Sequence, residues 1–273
     1  MSSGHLRDKR QVSVGLRKPH VQSSDIPSPL YTFQYASSRD GIDSNLLILL
    51  HGMGDKCAPF FKFAERMQLP QTAILALQAP VPIMDFGFCW FESFDEDGEL
   101  LAPSLSRYQS LKAVREGLES LINDVLVQPS FGWQRDRIFL LGFAQGGTVA
   151  LDLALHGSGR LAGVISISGT LTEEELDVHV GDPVRADIAR QTPILLTHGT
   201  KDEMIPIAEA HNRFDRLVRL VPEHPSLRLL QFPKGCKMID SPEEMRAVMT
   251  FFSERLYLRN LAMENTPGII PLF

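Results

Sequence analysis

Four short segments of the chain hold residue types that can do chemistry together. Gly142-Phe143-Ala144-Gln145-Gly146-Gly147 surrounds one residue with glycines at the end of an apolar run. That composition suits a strained strand-to-helix turn, which lifts a single side chain out of a sheet. The lifted residue is Ala144, whose methyl group can neither attack a carbonyl nor accept a proton. His51-Gly52-Met53-Gly54-Asp55 follows a second apolar run, and its glycines allow a sharp turn with exposed N–H groups, as an oxyanion hole requires. His198-Gly199-Thr200-Lys201-Asp202 sets a carboxylate after a third run, and Pro233-Lys234-Gly235-Cys236-Lys237 sets a thiol after a fourth.

The runs that carry these segments read as strands. Leu46–Leu50, Ala73–Leu77, Ile138–Phe143, Leu161–Ser168, Ile194–His198 and Leu227–Phe232 are short, apolar on both faces and rich in branched residues. Such runs suit a parallel sheet covered on both sides. Helical periods lie between them. Over 105–126, Leu105, Tyr108, Leu111, Val114, Leu118, Leu121 and Val125 form one stripe. Residues 145–156 and 206–221 are further helices. Ser241-Pro242-Glu243-Glu244 starts another, with Ser241 as cap, Pro242 in the first turn and Glu244 completing a capping box. This last helix is expected to bury Met245, Val248, Met249, Phe252 and Leu256.

The alternation predicts an α/β fold, a mostly parallel, doubly wound sheet flanked by helices on both faces. Ligands of such sheets bind at the carboxyl ends of strands, where all four segments fall. The order of elbow, acid and base positions along the chain is that of an α/β-hydrolase. The expected organisation is a flexible extension over 1–29, one domain over 30–258 and a tail over 259–273.

Composition narrows the partners. With 273 residues, 44% hydrophobic and 22% charged, the chain has the make-up of a globular protein. A net charge of −6 argues against nucleic acid and anionic membrane. Three cysteines form no disulfide framework, so a reducing, cytoplasmic setting is expected. No apolar run is long enough for stable membrane insertion. Met1 to His20 lacks the apolar core of a secretory signal and reads as a solvated tail; its basic residues leave organelle targeting as the other reading.

Taken together, Leu-Leu-His-Gly-x-Gly-Asp at 49–55, Trp90-Phe91, Gly142-Phe143-x-Gln145-Gly146-Gly147 and His198-Gly199-x-x-Asp202 resemble the acyl-protein thioesterases and their phospholipase/carboxylesterase relatives. The resemblance runs from about Leu46 to Leu256. It implies hydrolysis of acyl esters and thioesters by a Ser-Asp-His triad without a cofactor. It further implies that Asp202 is the acid, that Met53 and Gln145 supply oxyanion N–H groups, and that Trp90 lines the acyl approach. The family's serine falls on Ala144 and its histidine on Cys236. Either loss breaks the proton relay and removes on the order of 10⁶ in turnover.

Several readings stay open at this stage. The chain is a family member without family catalysis that binds an acyl ester, a thioester or a protein partner. Alternatively it is an active hydrolase using other groups, an engineered inactive variant, or an interaction module whose cleft is irrelevant. Cys236 is a substitute nucleophile if Lys237 lowers its pKa, and otherwise an inert thiol. Trp90 is a pocket wall or a core aromatic. His51 is expected to orient its turn and His198 to serve as a structural hydrogen-bonder. His156, His179, His211 and His224 read as surface residues without metal-ligand spacing. Glu173-Glu174-Glu175 reads as a solvated helix start.

Overall fold

Leu46 to Leu50 contains no polar side chain, so neither face of that segment can be left in water. In the computed structural model of the chain, which describes residues 17–26, 32–83, 86–95, 97–176 and 184–260, it forms β2 (Asn45–Leu50), buried throughout. Leu46, Ile48 and Leu50 enter one core, and Leu47 and Leu49 enter the core on the opposite face. The same logic builds β3 (Thr72–Leu77), β6 (Ile138–Phe143), β7 (Gly163–Ile167) and β8 (Ile194–Gly199), whereas β9 (Leu227–Phe232), at the sheet edge, is half-buried with Arg228 and Gln231 exposed. With the edge strand β1 (Phe33–Ala36) they form a seven-stranded sheet in the order β1-β3-β2-β6-β7-β8-β9. Only β1 runs antiparallel. A separate two-stranded ladder joins β4 (Val81–Pro82) to β5 (Phe88–Cys89).

Helices cover both faces, as the alternation predicts. The first core receives α2 (Leu105–Ser120), α3 (Gln145–His156) and α6 (Ile207–Leu220) through Leu111, Leu118, Val149, Leu153 and Leu217. The second receives α1 (Cys57–Met67) and α7 (Pro242–Ser253) through Phe60, Val248 and Phe252. Two short helices, α4 (Glu173–Leu176) and α5 (Ala186–Ala189), lie between β7 and β8. The winding reverses between β2 and β6, so the turns after these two strands flank one crevice.

The structure departs from the sequence expectations at identifiable places. Helix α1 was not anticipated, because it has no side-chain cap and carries Pro59 in its first turn; instead Gln78 Oε1 accepts the Cys57 N–H at 3.1 Å. Edge strand β1 was also missed. The long helical stripe is α2 followed by a π-helical turn, Leu121–Leu126. Ser241 does cap α7 by accepting the Glu244 N–H. The Glu244 carboxylate does not close a capping box, because it is drawn inward to Lys234 and Thr197. On α7, Val248, Phe251 and Phe252 are buried, whereas Met245 and Met249 are half-buried; Leu256, also half-buried, lies beyond the helix end.

Residues 17–26, expected within a flexible extension, pack against the domain. Val21 and Ile26 are buried, and Lys18 Nζ donates to Gly132 O at 2.6 Å beside the Trp133 ring. At the other end Arg259 exchanges hydrogen bonds with Gln71. The acidic triplet is not a solvated helix start. Glu174 and Glu175 are buried, and Thr172 and Glu175 form the reciprocal box at the start of α4. Burial and the neighbouring Asp152 carboxylate hold Glu175 well above the usual carboxylate range. His156 is not a surface residue either, since its Nδ1 sits 2.9 Å from Asp152 Oδ1 with the side chain enclosed. Half-buried His224 bonds the carbonyls of Ala189 and Thr192. His211 is exposed, and His179 lies outside the described residues.

Candidate functional site

Strand β6 ends at Phe143 and α3 begins at Gln145, so a single residue must reverse the chain. Ala144 does so with φ 46° and ψ −114°, a conformation L-residues avoid. Its backbone is held on both sides, by Ala144 N–H to Ile167 O at 2.8 Å and by Thr148 N–H to Ala144 O at 3.0 Å. A Cβ on Gly142 would collide with the backbone of Gly146, which explains the small residues of this turn. Such strain costs of order 1–3 kcal/mol and here presents only a methyl group. Ala144→Gly is therefore expected to raise the unfolding free energy by about 1 kcal/mol in urea denaturation. An unchanged or lower value would mean that the turn is not strained.

The turn after β2 is held by a buried histidine. His51 Nε2 accepts the Ala79 N–H at 3.0 Å, so the ring proton lies on Nδ1 and donates to Gly52 O at 2.7 Å. Burial also lowers the His51 pKa, and the ring is neutral and fully engaged. Trp90 braces the same turn, its Nε1 donating to His51 O at 2.7 Å. The Gln145 side chain is committed as well. Its Oε1 accepts the Trp90 N–H and its Nε2 donates to Ser93 Oγ. What Gln145 offers to a ligand is its backbone N–H, an unpaired donor by position in the first turn of α3. Met53, Ala144 and Gln145 line one cavity of about 540 Å³.

Beyond β8, Asp202 Oδ1 accepts the N–H groups of Met204 and Ile205 at 2.9 and 3.0 Å. Asp202 Oδ2 is buried and has no hydrogen-bond partner among the described residues. His198 does not serve it, because its Nε2 lies 3.7 Å away and donates to Ile205 O at 2.8 Å. Cys236 faces this carboxylate and also lines the cavity. Burial first, then Asp202, pushes its thiol up to about 11 against the opposing pull of Lys234. Lys237 plays no part, being exposed and 4.0 Å from Asp240. That direction counts against the substitute-nucleophile reading, since a thiolate is the reactive form. Thiolate content at pH 8 should be roughly 100-fold below that of an ordinary cysteine. Iodoacetamide pulses read by peptide mass spectrometry should show Cys236 alkylated about that much more slowly in the folded than in the urea-unfolded chain.

A profile of the phospholipase/carboxylesterase family matches residues 36–255. The chain belongs to this family. It is 37% identical over 147 residues to an uncharacterised hydrolase of Mycosarcoma maydis, covering 50% of this chain and 53% of that protein. It thus spans about half the length of the first curated relatives it matches. Acyl-protein thioesterase 1 of Neurospora crassa is 25% identical over 220 residues, with 77% of this chain and 86% of that one covered. Among solved structures, Zea mays acyl-protein thioesterase 2 superposes with a TM-score of 0.64 at 21% identity, covering 83% and 99% of the two chains. At that identity the likeness establishes the α/β-hydrolase fold.

Within this family member, the structure brings Ala144, Met53, Gln145 and Cys236 to one cavity and places Asp202 directly behind Cys236. It does not bring Trp90 there. Trp90 is 0% exposed and braces the His51 turn, so the expected wall residue is its neighbour Phe91. Sequence reasoning gave no role to Asp55, Arg107, Ser168 or Arg213, which also line the cavity. The motif at 49–55 contained Asp55, whose carboxyl pKa is raised by burial. The other three had no local signal. A second, largely apolar cavity of about 530 Å³ adjoins the first, sharing Met53 and Ser93 and lined by Val81, Ile83, Phe86 and Phe94. Among the described residues no helix is long and apolar enough to cross a membrane.

Proposed function

We propose that this family member binds an acyl ester or thioester in the cleft beside the elbow and does not hydrolyse it by the family's serine chemistry. The observation that carries the reading is Ala144 at the strained elbow, where an attacking oxygen belongs. Two further features support it. The group facing Asp202 is a thiol that stays protonated, and both nearby histidines, His51 and His198, are engaged with backbone groups. Neither histidine is therefore poised as a base at the elbow. The acyl part is supported by the apolar cavity with exposed Phe86, and by exposed Leu100 and Met204 at the adjoining elbow cavity. The same exposed residues support a protein partner as the carrier of the acyl group. Free thiols at Cys57, Cys89 and Cys236 fit a reducing setting such as the cytoplasm.

The test is incubation of the purified protein with a fluorophosphonate serine-hydrolase probe and, separately, with an acyl thioester. Labelling and thiol release should match a denatured control. Turnover well above that control would overturn the reading.

A further inference from the structure

The hydroxyls that line the cavity beside the elbow are engaged, with one exception. Thr148 Oγ1 donates to Thr170 O at 2.6 Å, Thr170 Oγ1 accepts from Arg213 Nη1, and Thr172 Oγ1 accepts the Glu175 N–H. Ser93 Oγ donates to Phe91 O and accepts from Gln145 Nε2. Ser168 also lines the cavity, yet its Oγ is buried and has no hydrogen-bond partner among the described residues. A buried hydroxyl left in that state costs about 1–3 kcal/mol, so its position calls for a reason.

The backbone supplies a second, independent oddity. Ser168 has φ 51°, left-handed for a residue that is not glycine, and it stands at the carboxyl end of β7 next to the elbow. Its N–H donates to Thr197 O at 2.7 Å, and Ser166 Oγ bonds Gly169 O at 3.1 Å. Gly169 packs so closely that a Cβ there would lie 2.6 Å from Ala144 O. The main chain is thus held by its neighbours while the side chain has no hydrogen-bond partner among the described residues. Rotation about the Cα–Cβ bond moves such a hydroxyl among staggered positions, which leaves it available to an incoming group. It is not poised as a nucleophile, because no base lies at hydrogen-bond distance from it among the described residues.

The sheet order determines which part of a ligand would meet it. Met53 follows β2 and Ser168 follows β7, on opposite sides of Ala144 at the end of β6. The apolar cavity opens on the Met53 side. An acyl carbonyl between the Met53 and Gln145 N–H groups, with its chain in the apolar cavity, sends its alcohol- or thiol-derived portion toward Ser168. We infer that Ser168 is a specificity residue that hydrogen-bonds this portion, so that the ligand carries an amide or hydroxyl close to its acyl carbonyl. The inference rests on the acyl-ligand reading above.

Two soluble probes separate the possibilities. S-octanoyl-N-acetylcysteamine carries an amide beyond the sulfur, and S-butyl thiooctanoate matches its chain without one. Calorimetric titration should find the amide probe bound roughly 5- to 10-fold more tightly, the worth of one hydrogen bond. Ser168→Ala and Ser168→Gly should abolish that preference and leave S-butyl thiooctanoate binding unchanged. Glycine suits the left-handed backbone, so this second variant keeps the test valid if alanine destabilises the turn. A preference retained in both variants, or absent from the native chain, overturns the assignment of Ser168 alone. Failure of the native chain to bind either probe overturns the acyl-ligand reading, and the inference with it.

Discussion

Ala144→Ser combined with Cys236→His is expected to hydrolyse an acyl thioester at least about 10³-fold faster than either single variant, both of which should remain near background. The reason is that each replacement alone supplies half of a proton relay. A serine at 144 inherits the strained φ 46° turn and the adjacent Gln145 N–H, but no base takes its proton. A histidine at 236 meets a carboxylate already prepared for it. Asp202 Oδ1 is fixed by two backbone N–H groups, and the buried Oδ2 has no hydrogen-bond partner among the described residues, as an acceptor awaiting an imidazole N–H would. The larger ring has room, because position 236 borders the cavity of about 540 Å³. Activity of the double variant should fall as pH drops through the imidazole pKa, since the protonated ring cannot accept the serine proton. Steady-state assays across pH would check both points. A double variant that folds and stays inert would mean that the cleft has diverged beyond these two positions.

The second large effect concerns the loop that carries Cys236. Lys234 and Glu244 form an ion pair at 2.8 Å with both side chains almost wholly enclosed. Lys234 Nζ also donates to Lys237 O at 2.8 Å, and Glu244 Oε1 accepts from Thr197 Oγ1 at 2.6 Å. The pair ties the 233–238 loop to α7 and to β8. Lys234→Met should lower the unfolding free energy by about 3–5 kcal/mol, because it strands a buried carboxylate. Adding Glu244→Leu should recover most of the loss, since the penalty belongs to the unpaired charge rather than to the absence of a bond. Urea unfolding of the two variants measures both. A loss under about 1 kcal/mol in Lys234→Met would show that solvent reaches the pair and screens it.

Much of the architecture was legible because it depends on local pattern. Six short apolar runs, too short for helices, became the six parallel strands within a residue or two at their ends, although β9 is not apolar on both faces and exposes Arg228 and Gln231. Ser241 and Pro242 announced α7 because capping is local chemistry. The misses share a cause. Helix α1 lacks a side-chain cap, and strand β1 is too short and half-buried to carry a pattern. Glu174 and Glu175 look like surface residues by type, and become interior through partners distant in sequence such as Arg107 and Arg115.

The sequence by itself determined that an elbow with alanine at 144, an oxyanion-type turn at 51–55 and a carboxylate at 202 stand at strand ends of one sheet, because glycine spacing and strand periodicity are written in neighbouring residues. Only the tertiary structure decided what surrounds them. It decided Trp90 between pocket wall and core aromatic, making it a brace for His51, raised the Cys236 thiol by burying it against Asp202, and left Ser168 without a partner among the described residues. Burial, proton affinity and unsatisfied hydrogen bonds depend on which distant segments meet, and no local pattern encodes that meeting.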